Sequence, residues 1–147
     1  MSRLALLLAL STVLLASAAS GQARLVLREA VLPNQETARD TTGWEAATLD
    51  GDPIRLGNVL LPLRLGDVRG VSASVDPNVS QPAVALELNR RARLRFAAIT
   101  KQRIGEAIAL VLDGRVLMAP TVQTQIPDGR LQITGGFTLA EAEDLAS

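Results

Sequence analysis

Cysteine, histidine and tyrosine are absent from the 147-residue chain, and its aromatic residues reduce to two phenylalanines and one tryptophan. Without cysteine, no disulfide can staple the fold and no N-terminal thiol can carry a lipid anchor. Without cysteine and histidine, the usual zinc ligands, the commonest general base and the thiolate nucleophile are all missing. A serine or threonine nucleophile would then need a lysine base. The sole lysine, Lys101, falls on the face of an expected helix rather than in a pocket. Basic and acidic residues balance at 15 each. That balance supplies no concentrated positive field for nucleic acid, and so few aromatics supply no stacking platform for bases. These absences lead to the expectation of a non-enzymatic protein with no metal, no cofactor and no nucleic-acid partner.

What is present begins with a leader. Met1-Ser2-Arg3 is a short positive start, Leu4 to Leu15 is an almost unbroken apolar run, and small residues follow from Ala16 to Ala23. A charged start, an apolar centre of roughly 7–15 residues and a small-residue cleavage zone define a secretory signal. The run falls short of the about 20 apolar residues that a membrane span requires. Cleavage after Gly21-Gln22-Ala23 puts the mature start near Arg24, with earlier cuts after Ala18 or Ser20 also open. The expectation is a periplasmic or secreted protein with no transmembrane helix in its mature form. About 124 residues remain after cleavage, enough for one domain with one core.

Along that remainder, Arg24 to Arg28 alternates polar and apolar like a half-buried strand. Residues 32 to 53 are polar and irregular, ending in the turn signal Asp50-Gly51-Asp52-Pro53, and suggest a long loop with one short strand at Ala47 to Leu49. This loop holds Trp44, which suits the plug of a core edge better than a ligand contact. Ile54 to Leu65 is apolar but broken by Gly57 and Pro62, as in an extended connector, and Gly66-Asp67-Val68 suits a short helical turn. Val71 to Val75 and Val84 to Leu88 alternate on either side of a proline-containing turn, the pattern of an antiparallel hairpin.

The period then changes. From Asn89, a plausible N-cap, Ala92, Phe96 and Ile99 form one apolar stripe of a helix that Gly105 ends. Ala107 to Leu112 is apolar on both faces and suits a central strand. Asp113-Gly114 signals a two-residue hairpin turn, Arg115 to Ala119 returns, and Pro120 forces that strand out of the ladder or onto an edge. Arg130 to Thr134 is a further strand. Thr138 and Glu141 have the spacing of a capping box, ahead of a last helix with Leu139, Ala142, Leu145 and Ala146 on its apolar face. The fold class expected is α+β: a mostly antiparallel sheet of about five strands with two helices packed on one face. The divisions expected are a signal peptide over 1–23, a strand and loop-rich lead-in over 24–66, and the α+β domain over 67–147.

Three constellations invite chemistry, and each has a structural explanation. Asp113 and Asp128 sit in turns that favour Asp for backbone reasons. Glu141 and Asp144 complement a helix dipole. Gly135-Gly136 ahead of a helix could cradle an anion, but lacks the rest of a phosphate-loop pattern. The basic cluster Arg90, Arg91, Arg93, Arg95, Lys101 and Arg103 reads as a solvated helix back, with contact with anionic lipid headgroups or an acidic partner as its sharper alternative, the membrane contact being weak and salt-sensitive.

The order of motifs resembles a known family. Asp67-Val68, Val71 to Asp76, Gln81 to Leu86, Phe96-Ala97-Ala98-Ile99-Thr100, Ala109 to Pro120, Ile126, Gly129, Ile133 to Thr138, Glu141-Ala142 and Leu145-Ala146 follow one another as in the head of the first periplasmic domain of SecD and SecDF, preprotein translocase subunits of bacteria. The resemblance implies an α+β head that binds or guides translocating chains. Its motif positions here are Phe96, Thr100, Asp113, Gly114, Pro120, Gly135, Phe137 and Thr138, all with structural roles. Departures are Ala92 where the family commonly has glycine, an end at Ala146-Ser147, and a leader in place of the first membrane anchor. The expected function is accordingly an exported head domain that binds polypeptide or a partner protein of the cell envelope, without the energy-coupling helices. The alternative is a structural module of an envelope complex that binds no client.

Overall fold

The larger of two antiparallel sheets has its first strand in the middle. The computed structural model describes residues 25–64, 66–76 and 80–146, so the leader and its cleavage zone lie outside the described residues. Strand β1 (Leu25–Val31) is flanked by β3 (Asp52–Leu63) and β6 (Ala107–Leu112), with β2 (Glu45–Leu49) and β7 (Arg115–Met118) outermost. A second sheet is built from β4 (Val68–Asp76), β5 (Gln81–Leu88) and β8 (Arg130–Thr134), with β5 in the middle. Two α-helices, α1 (Arg90–Gln102) and α2 (Leu139–Ala146), and a 3-10 turn at Pro33–Ala38 complete the described elements.

The single sheet of about five strands is therefore corrected, among the described residues, to eight strands in two sheets. Residues 24–66, expected as a lead-in, supply β1, β2 and β3, three of the strands of the larger sheet. The supposed connector from Ile54 is the long strand β3. Its breakers have local reasons. Opposite β1 the register slips at Leu27/Arg28 and again at Arg28/Ala30, so β3 carries two bulges that hide its alternation. Pro62 lies beyond the reach of β2, where β3 has β1 alone as a ladder neighbour, the setting in which a strand tolerates proline.

Two Asp-Gly turns close tight hairpins. Asp50-Gly51 joins β2 to β3 and Asp113-Gly114 joins β6 to β7, and all four residues have positive φ, as a type I′ turn demands. The helix caps follow the sequence pattern. Asn89 Oδ1 accepts the Ala92 N–H at 2.9 Å, and Thr138 and Glu141 exchange backbone–side-chain bonds of 2.9 and 3.2 Å.

The main core lies between the sheets. Leu25, Leu27, Leu61, Ile108, Leu110 and Leu112 from one meet Val84, Leu86, Leu131 and Ile133 from the other, with Ala92, Phe96 and Ala142 from the helices in the same cluster. Helix α1 packs against both β3 and β5, whereas α2 packs on β4 and β5. The opposite face of the larger sheet is apolar too: Ala30, Ile54, Leu56, Ala109 and Val111 form a second cluster. The outer strands β2 and β7 approach each other, so the sheet curls around that cluster.

Candidate functional site

Beyond Met118, proline ends the ladder of β7, and the next strand, β8, belongs to the other sheet. Between them the chain runs irregularly along β6. The Pro120 carbonyl still accepts the Ile108 N–H at 3.0 Å, and Val122 exchanges bonds of 2.9 and 2.8 Å with Glu106 and Gly105. Proline at this point loses a donor but keeps its acceptor, so the segment is held without extending the strand.

Where the two sheets part at β7 and β8, a cavity of about 300 Å³ opens. Its walls are apolar and come from every layer: Leu27, Ile108 and Leu110 of the larger sheet, Leu131 of the smaller, Phe96 of α1, and Met118. Thr121, Gln123, Thr124 and Gln132 give it a polar, uncharged rim, to which Arg130 adds one cation. The 119–129 loop that borders it is fixed by Thr100. This buried threonine accepts the Ile126 N–H at 3.0 Å while its own hydroxyl has the Phe96 and Ala97 carbonyls in reach at 3.0 and 3.1 Å. Gln125 Nε2 adds a bond to the Ala97 carbonyl at 3.3 Å. Apolar walls with a few polar groups at the mouth suit an apolar side chain or an extended segment.

Three of the eight motif positions, Phe96, Thr100 and Pro120, meet at this groove. The others lie elsewhere. Asp113 and Gly114 form the β6–β7 turn, Phe137 is buried in the main core, and Thr138 caps α2. Gly135 borders a separate polar cavity with Asp50 and Arg115. Leu27, Leu110, Leu131 and Met118 were legible as strand residues but not as groove walls, because nothing local in sequence says where two sheets separate. Their one available signal was Pro120 followed by a stretch without strand periodicity.

A polar cluster lies at the C-terminal end of α1, around Arg103. Arg28 donates to the Gly57 carbonyl at 3.0 and 2.9 Å, and Glu29 accepts the Asn58 N–H at 3.1 Å, so two adjacent β1 side chains satisfy backbone groups that the β3 bulge frees. Glu29 is 8% exposed and also binds Arg103 at 2.8 Å and Arg39 at 3.5 Å. Burial pushes its carboxyl up, but the Asn58 N–H and the two guanidinium groups outweigh burial and hold it below the usual 4.5. Arg39 lies 5.1 Å from the Trp44 ring centre, and that ring packs against Gly57. Trp44 thus covers the β3 bulge at Gly57 and belongs to neither apolar cluster. Among the described residues, no group of three or more Asp, Glu, His or Cys side chains could hold a metal, and no helix is long and apolar enough to cross a membrane.

Fold and groove together define a two-sheet α+β domain with an open apolar cleft at the sheet edges. A family model for the SecDF P1 head subdomain matches residues 45–147, and the chain belongs to that family. Among curated relatives, the protein translocase subunit SecD of Aquifex aeolicus is 37% identical over 123 residues, covering 84% of this chain and 23% of that protein. SecD of Acidaminococcus fermentans is 41% identical over 90 residues, 61% of this chain and 21% of that protein. This chain thus spans less than a quarter of the length of either. A solved structure of SecDF in its super-membrane-facing form is similar over 86% of this chain and 18% of that one, with a TM-score of 0.58 at 25% identity. Another, of SecDF as a membrane component that enhances protein export, covers 86% of this chain and 61% of its own, with the same TM-score at 24% identity.

Proposed function

We propose that this chain is an exported head domain whose apolar groove takes up extended segments of polypeptide in the cell envelope, as an accessory to protein export. The observation that carries the reading is the groove itself, an apolar cleft of about 300 Å³ between two sheet edges. β8 is an outermost strand of its sheet, so its outer backbone edge lies beside the apolar walls. An extended client can pair its main chain with such an edge and place alternate side chains in the cleft. Membership of the SecDF head family supports this reading, and so does the leader expected over 1–23. The eight motif positions serve the scaffold, with Phe96, Thr100 and Pro120 shaping the groove.

The test is fluorescence anisotropy with labelled, unfolded exported polypeptides and the full chain. Weak saturable binding is expected, reduced by Met118→Gln while the melting point stays close to that of the parent. Absence of binding with several unfolded clients, or binding indifferent to Met118→Gln, would sink the reading.

A further inference from the structure

We infer that a second site, a cleft between the end of β3 and the outer side of α1, binds a phosphate group. The cleft has a volume of about 400 Å³ and is lined by Pro62, Arg64, Asp67, Arg91 and Arg95. Three arginine side chains line it, one just past β3 and two a single helical turn apart on α1.

The excess of three arginines over one carboxylate in the same cleft is what points to a ligand. Arg28, Arg39, Arg69, Arg103 and Arg115 all form ion pairs with Glu side chains. Arg64, Arg91 and Arg95 form none with any described residue. The carboxylate in the cleft wall, Asp67, is held by neutral donors and keeps its charge, so it offsets one of the three cations and leaves the cleft positive: Oδ2 accepts the Arg64 N–H at 2.9 Å, and Oδ1 lies 3.4 Å from Asn89 Nδ2. Asn89 in turn donates to the Gly66 carbonyl at 2.7 Å and caps α1 through Ala92. These bonds tie Arg64, Gly66 and Asp67 to the helix start, so the cleft is built before any ligand arrives. α1 carries no acidic residue in its first turn, and its sequence from Arg90 to Gln102 contains none. Cations beside a helix N-terminus oppose the dipole, and a bound anion relieves that conflict.

The number of donors selects the anion. A carboxylate has two oxygens and is satisfied by one guanidinium fork, whereas a phosphate group offers more acceptors and suits several forks at once. The phosphate can belong to a lipid headgroup or be free in solution.

The experiment is a titration of the ¹⁵N-labelled full chain with inorganic phosphate against chloride at matched ionic strength, read on the arginine Nε–Hε resonances. Saturable shifts are expected at Arg64, Arg91 and Arg95 but not at exposed, unpaired Arg55. R91Q/R95Q should weaken the affinity about tenfold or more, the scale of losing one hydrogen bond to a charged group. R91K/R95K, which keeps the charge and loses the forks, should fall between. The melting points of both variants are measured alongside, and the positions are exposed enough for either to fold. Linear shifts no larger than those at Arg55, or R91Q/R95Q binding phosphate as the parent does, would overturn the site. Flotation with phosphatidylcholine vesicles, with and without phosphatidylglycerol, identifies the source. An increment for phosphatidylglycerol that R91Q/R95Q abolishes assigns the site to lipid. A saturable phosphate titration with no such increment assigns it to a soluble phosphate.

Discussion

Replacing Thr100 by valine exchanges one oxygen for one carbon in a side chain that is 1% exposed. Shape and helix geometry are preserved, so the change isolates the hydroxyl. The Phe96 and Ala97 carbonyls that face it also accept helical backbone bonds and lose little. The Ile126 N–H, 3.0 Å from the oxygen, loses its acceptor at the border of the apolar groove. A buried donor left without a partner costs roughly 1–3 kcal/mol, and this one is only partly buried, which favours the low end. The extra methyl recovers part of that, up to about 0.8 kcal/mol. The expected net loss is about 0.2–2 kcal/mol, or a melting point lower by roughly 1–10 °C for a domain of this size. Urea denaturation should show a lower midpoint at unchanged m-value, and amide exchange at Ile126 should accelerate. Thr100→Ser keeps the oxygen, so Ile126 should remain protected even though the lost methyl costs about 0.8 kcal/mol. If Thr100→Val were as stable as the parent and exchanged at Ile126 at the same rate, the hydroxyl would not be what holds the 119–129 loop.

Gly57→Ala would place a Cβ 2.7 Å from Glu29 Oε2 and 2.8 Å from the Trp44 ring. Both must move, at about 1–3 kcal/mol, and the Trp44 emission maximum should shift; an unchanged spectrum and midpoint would refute that packing. Glu29 has a folded pKa below its ordinary 4.5 despite burial, because the Asn58 N–H, Arg103 and Arg39 favour the carboxylate. Its contribution is therefore fully present above that ordinary value and is lost as pH falls through the folded value. Melting points followed into the acid range should drop more steeply for the parent than for Glu29→Gln, and parallel curves would rule out Glu29 as the group responsible. Thr138→Ala removes the oxygen that accepts the Glu141 N–H and should cost about 0.5–2 kcal/mol; calorimetry showing no change would mean that α2 does not depend on this cap.

Where local chemistry decides structure, the sequence was legible. Asn89, the Asp113-Gly114 turn, the doubly apolar run of β6 and the Thr138/Glu141 box each stand where the pattern puts them, because caps and turns are settled by a few neighbouring residues. β3 was illegible for an equally physical reason. Its two bulges break the period of two, and the groups that repair them, on Arg28 and Glu29, lie about 30 residues away in sequence. The division into two sheets was hidden too, since an alternating strand does not say which partner it takes. Of the groove, Phe96, Thr100 and Pro120 stood out as motif positions. The facing walls Leu27 and Leu131 are ordinary strand leucines, brought together by topology alone.

The central place of β1 has a mechanical consequence. Tension entering the chain ahead of Leu25 would pull β1 lengthwise between β3 and β6, against ladders that run from Leu25 to Val31 on one side and from Leu25 to Ala30 on the other. Both ladders must then shear at once, whereas a peripheral strand such as β7, peeled from its end, would give way one bond at a time. The strand nearest the start of the domain is thus the one that a pull from that end would find hardest to extract.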